Sequence, residues 1–149
     1  MNSLFDQAAF HEIRQRLAVL PSDAQPLWGK MNVAQMLAHC CQAMEVPLSD
    51  APQPRMLMGL LIGWMLKKKL YNDDPWKQGV PTAPEFIIKD SREFSKEKLR
   101  LEDLINRFYT HGAETAGKFP HPFFGKLTTE QWGKGMYKHL DHHLRQFGV

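Results

Sequence analysis

Cysteine is scarce: two residues, Cys40 and Cys41, in a chain of 149. They are adjacent, and on a helix successive side chains diverge by about 100°, so they do not pair with each other. A disulfide-stapled scaffold is excluded, and a reduced, cytoplasmic setting is expected. Long apolar runs are also missing. The segment to weigh is Met56 to Leu66, MLMGLLIGWML, well short of the about 20 residues a membrane-spanning helix needs. The first residues, MNSLFDQAAF, lack the basic and apolar blocks of a signal peptide. Charge of one sign does not dominate, with 19 Lys and Arg against 16 Asp and Glu and a net charge of +3. The densest cluster, Lys67 to Lys69, reads as a solvated helix end, so no nucleic-acid partner is expected. Internal repeats and low-complexity tracts are absent, which excludes solenoids and arrays.

What is present is a globular composition, 43% hydrophobic and 23% charged, on a length that accommodates one domain with a real core. We expect a single domain over residues 1–149. Helical spacing recurs along the chain. A first helix is expected from a Ser3 cap through Phe5, Ala9, Ile13 and Leu17, ending at Pro21. The loop PSDAQPLWGKM then leads to Asn32, where Asn32-Val33-Ala34-Gln35 has the form of a capping box. The helix it opens carries Val33, Met36, Leu37, Cys40 and Met44 on one face, with His39 on the edge of that stripe. Pro47 follows.

Arg55 to about Leu70 is a shorter apolar helix. Gly59 and Gly63 weaken it by about 1 kcal/mol each relative to alanine while permitting close backbone approach. Its expected place is the core or a second subunit, which makes a homodimer the corresponding partner; a membrane-surface role is the competing reading, to be dropped if the segment is buried. Asn72 to Lys89 is a long irregular stretch of the kind that covers binding sites, pinned by Phe86, Ile87 and Ile88. A helix over Ser91 to His111 turns Phe94, Leu101, Leu104, Ile105 and Phe108 inward and its charges, Glu97 among them, mostly outward, with Gly112 as the stop. After a loop containing HPFFGKL, a second capping box, Thr128 with Gln131, opens the last helix. Four main helices and one shorter apolar one define an all-α bundle.

The last helix carries the chemistry. Trp132, Met136, His139, Leu140, His143 and Phe147 share one stripe, so two histidines stand on the face that should be buried, one turn apart. Zinc-peptidase helices hold their metal with the same spacing, but there a glutamate follows the first histidine as general base. Here that residue is Leu140, so ligation is supported and that peptidase chemistry is not. Buried imidazoles left without partners cost about 1–3 kcal/mol each. A metal satisfies both, and His39 is the candidate third ligand. Three neutral imidazoles suit Zn²⁺, Ni²⁺, Co²⁺ or Fe²⁺. Spacing alone also allows the bland arrangement, His39 as a helix-edge residue bonded to a carbonyl. His142, about 60° off the stripe, is expected at the surface or behind the ligands, and His121 in a turn or near a cavity mouth. Cys40 is expected as a small core residue. Gln146 is expected to hydrogen-bond a ligand histidine or the preceding turn. No general base is marked: Asp141 points away, and Glu45 is the remaining carboxylate to consider.

WGKMNVAQMLAHC (28–40), PTAPEF (81–86) and HPFFGKLTTEQWGKGMYKHLDHHLRQFG (121–148) together resemble the DinB/YfiT-like superfamily of metalloenzymes, in a branch of unknown function. The resemblance runs through most of the chain. It implies a four-helix bundle with one histidine from the second helix and an HxxxH pair from the last: His39, His139 and His143. Its characterised members include thiol S-transferases and a mycothiol-dependent isomerase. The implied function is metal-dependent chemistry, S-transfer or hydrolase-like, on a small molecule such as a low-molecular-weight thiol. The alternative is a non-catalytic, binding or stress-associated bundle with a structural or vestigial metal site.

Overall fold

Two reciprocal capping boxes set where the site-bearing helices start. The computed structural model describes residues 2–80 and 82–149; Met1 and Pro81, the latter part of the expected irregular stretch and of the PTAPEF motif, lie outside the described residues. Helix α1 spans Gln7–Val19, α2 Val33–Glu45, α3 Leu57–Tyr71, α4 Phe94–Thr115 and α5 Thr129–Gln146, with a 3-10 turn at Pro84–Phe86. At Asn32 the side chain accepts from Gln35 N at 2.9 Å while Gln35 Oε1 accepts from Asn32 N at 3.1 Å. Thr128 and Gln131 repeat the exchange at 3.2 and 3.1 Å. Each box satisfies two of the amide donors that a helix start leaves without intrahelical partners.

The described residues are all-helical, with no strand; an isolated bridge joins His121 and Gly125. Helices α1, α2, α4 and α5 close a circuit of contacts, α2 on α4 being the broadest, while α3 packs on α5. The core inside that circuit includes Ile13, Leu17, Met36, Leu37, Met44, Leu101, Ile105, Phe108, Trp132, Leu140 and Leu144. Cys40 and Cys41 are free and buried within it. No helix among the described residues is long and apolar enough to cross a membrane.

Four local expectations are corrected. Helix α1 starts at Gln7 with Asp6 as its cap residue, because residues 3–6 form a turn instead: Asp6 N donates to Ser3 O, and Ser3 Oγ accepts from Phe5 N. That turn is tied to α5 through Leu4 N and Gly133 O at 3.0 Å. Gly112 does not stop α4. It lies buried inside the helix against the rings of Phe5 and Phe108, which stack at 4.7 Å, and the chain leaves the helix at Ala116–Gly117, where Gly117 takes φ +93°. Glu97 turns inward, drawn by Arg92 at 3.4 Å and Arg100 at 3.1 Å. In the irregular stretch Ile88 is buried but Ile87 is exposed, so the pin is Ile88 together with Phe86.

The fifth correction is larger. The buried residues of α3 are Gly59, Gly63 and Leu70, and Leu57, Met58, Leu60, Leu61, Trp64 and Met65 are exposed, Trp64 to 72%. The reason is the glycine pair. It seats α3 directly on the backbone of Phe123, where a methyl group at either position would overlap main-chain atoms. With glycine inward, the bulky side chains face out.

Candidate metal centre

Histidines 39, 139 and 143 converge. Each offers a ring nitrogen, and these atoms lie within 4.8 Å of one another, close enough to hold a metal ion. His39 comes from the middle of α2, and the other two from successive turns of α5, where the stripe that carries Trp132, Met136 and Leu140 faces the core. All three are buried. The ring centroids stand 4.7 to 4.9 Å apart.

Hydrogen bonds around the rings define what their inner nitrogens can do. His39 Nδ1 donates to Phe86 O at 2.9 Å, and His143 Nδ1 donates to Gln146 Oε1 at 2.8 Å. The Gln146 amide is oriented by its own bond, Nε2 to Trp28 O at 2.7 Å. With Nδ1 protonated in both neutral rings, each Nε2 carries a lone pair, the form that ligation requires. His39 Nε2 faces His139 Nε2 at 3.0 Å. His139 Nδ1 is buried with no hydrogen-bond partner among the described residues.

Protonation is suppressed throughout. Burial drives His139 well below the ordinary histidine value, reinforced by His143 and His39 beside it. Burial likewise brings His143 down to about 3. His39 is lowered by burial, opposed by its bond to the Phe86 carbonyl. The cluster is thus three neutral imidazoles at neutral pH, a donor set for Zn²⁺ or its borderline neighbours rather than for Mg²⁺ or Ca²⁺.

The structure places the other marked residues as follows. Gln146 bonds a cluster histidine, as its position on the helix predicts. Asp141 points away, pairing with Arg16 at 2.9 Å and Arg145 at 2.7 Å. Glu45 is held by Arg100 at 2.5 Å. His121 closes a turn, its Nδ1 accepting from the amides of Phe123 and Phe124 at 2.9 and 3.2 Å. Cys40 is a core residue whose thiol burial pushes well above its ordinary range. His142 is not at the surface. It is buried between Trp28 and Trp76, with ring centroids at 5.7 and 5.6 Å, because those aromatics close over the side of α5 beside the stripe.

Two residues at the site escaped sequence reasoning. Trp76 stands edge-on to His139 at 5.7 Å; a tryptophan inside a proline-bearing loop was the available signal. Lys138, next to His139, is buried and donates to Lys69 O, Asn72 O and Asn72 Oδ1 at 2.6 to 3.0 Å, capping the end of α3. A lysine off the apolar stripe gives no sign of that.

Fold and site together define an all-α protein with a buried three-histidine cluster able to hold a metal ion. The chain belongs to the protein family of unknown function DUF1569, whose family model matches residues 3–148. No curated protein and no solved structure matches it.

Proposed function

We propose that the chain is a metal-dependent enzyme acting on a small molecule, with His39, His139 and His143 as ligands of a divalent Zn, Ni, Co or Fe ion. The observation that carries this reading is the fixed tautomer of His39 and His143, whose outer nitrogens are taken by Phe86 O and Gln146 Oε1. Their inner nitrogens then gather with a ring nitrogen of His139, all within 4.8 Å of one another. The bond to a carbonyl alone also fits a structural histidine; the convergence of three ring nitrogens is what favours a metal.

The finer reading is a single-domain, four-helix bundle of the DinB/YfiT-like type over residues 1–149, cytoplasmic, with a low-molecular-weight thiol as the preferred substrate class. The resemblance in 28–40 and 121–148 supports it. Bound there, the ion would act as a Lewis acid, lowering the pKa of coordinated water toward about 7 or deprotonating a thiol outright. The chain's own part is to hold three imidazoles neutral and oriented, with Trp76 and Phe86 set edge-on to His139 and His39. Among the described residues no carboxylate joins the three histidines, and the nearest candidates by sequence, Asp141 and Glu45, are engaged by arginines.

The same aromatic cover favours the second reading, a structural site in a non-catalytic protein. Substitution by Co²⁺ separates the two. For an enzyme of thiol chemistry, adding a small thiol to the cobalt form produces a thiolate-to-metal charge-transfer band, and the double variant His139→Ala, His143→Ala retains neither metal nor band. A cobalt spectrum unmoved by thiols leaves the structural reading. Equal metal content in both proteins removes the site altogether.

A further inference from the structure

The outer surface of α3 is a feature that the histidine site does not use. Successive turns present Leu57, Leu61, Trp64 and Met65, all more than half exposed. A contiguous apolar surface of this kind on a folded chain marks a docking face.

Charge identifies its partner. Arg55 precedes the helix and Lys67, Lys68 and Lys69 close it, and the sequence from Arg55 to Asn72 contains no carboxylate. Arg55 lies over Gly125, and Lys67 donates to Lys126 O. Lys68 and Lys69 are exposed. Among the described residues none of these four cations is in an ion pair with a carboxylate. Of the acids that follow, Asp74 accepts a hydrogen bond from Asn72 Nδ2 at 2.9 Å.

A second copy of the chain is a poor answer to this pattern. In a two-fold contact α3 meets α3. Antiparallel packing brings Arg55 against the partner's lysine cluster, and parallel packing brings the lysine clusters together. Both bury apolar side chains while leaving cation against cation. An anionic bilayer surface answers both features. It accepts leucine and tryptophan at the depth of the headgroup boundary, and each nearby Lys or Arg adds about 1 kcal/mol of attraction. At about 1.5 Å per residue, the helix lies along such a surface rather than across it.

We propose that α3 docks the protein on anionic phospholipid membranes, with Leu57, Leu61 and Trp64 inserted and Lys68 and Lys69 on the headgroups.

The test is co-sedimentation of the full chain with phosphatidylcholine vesicles containing about 30% phosphatidylserine, against pure phosphatidylcholine. Binding is expected to the first and to fall about tenfold or more on the second, on Lys68→Glu with Lys69→Glu, and in about 0.5 M salt. Leu61→Asp with Trp64→Asp should abolish it while leaving the helical circular dichroism and metal content intact, since both side chains are outside the core. Absence of binding to either vesicle, or equal binding to both, overturns the proposal. So does a stable dimer in sedimentation analysis that the Leu61→Asp, Trp64→Asp variant dissociates, because a second copy then owns the face. If that variant does not fold, the comparison of the two vesicles with the unaltered protein decides.

Discussion

Gln146 accepts a hydrogen bond from His143 Nδ1 at 2.8 Å and passes its own amide proton to Trp28 O at 2.7 Å, so the ring's orientation is anchored in the loop before α2. Replacing Gln146 by Leu removes the acceptor and frees the tautomer. Partners of this kind contribute about 10–100-fold to metal affinity. A competition titration with a chromophoric chelator should show a loss in that range, with Gln146→Glu recovering part of it by restoring the acceptor.

Acid should weaken the fold through its histidines. Burial holds His143 and His121 at about 3, against an ordinary 6.5. Between those values the unfolded chain binds protons that the folded chain refuses, so stability rises with pH across that window. It is fully present above about 6.5 and is lost as the pH falls toward 3, with a decline of a few kcal/mol. Denaturant midpoints measured between about pH 7 and pH 4 should fall monotonically. In His121→Asn, which keeps an acceptor for the Phe123 and Phe124 amides without a titrating group, the slope should flatten.

Gly63→Ala tests the seat of α3. Alanine gains about 1 kcal/mol of helix propensity, but its methyl group meets main-chain atoms of Phe123. Backbone does not yield as a flexible side chain does, and overpacking of this kind costs about 1–3 kcal/mol. A net destabilisation is expected by chemical denaturation, together with faster hydrogen exchange in α3. A stabilised variant would show that α3 does not rest where the structure places it.

Glu97→Ala should destabilise through the arginines it leaves behind. Arg92 and Arg100 both reach the buried carboxylate, and each remains about a third exposed, at 30% and 36% of its side chain. Water therefore screens the residual charge, placing the loss at about 1–2 kcal/mol, below the 3–5 of a fully buried pair. Unfolding midpoints at low and at high salt should converge in the variant.

Much of this architecture was readable because local chemistry and tertiary packing agree. Asn32 with Gln35 and Thr128 with Gln131 announce their helices in four residues each, and the α5 stripe announces its buried face through the spacing of Trp132, Met136 and Leu140. His139 and His143 came with that stripe, whereas the approach of His39 depends on how α2 lies against α5, which no single helix encodes. The failures have the same origin. An isolated Gly112 is the sequence signature of a helix stop, yet here it admits two phenylalanine rings. Gly59 and Gly63 signal close approach and do meet the backbone of Phe123, but the hydrophobicity around them does not mark a buried face. Which side of an all-apolar helix turns inward is decided by what it packs on, in this case the backbone at Phe123.

The adjacent free thiols of α2 have a practical use that follows from their position. Cys40 and Cys41 are at most 1% exposed, next to His39, and burial pushes Cys41 up to about 12. A thiol reagent therefore reacts only when α2 opens. Its rate of incorporation is an intrinsic clock for that opening, and slowing of the clock by added metal reads out, without any introduced label, how firmly ligation locks α2 to α5.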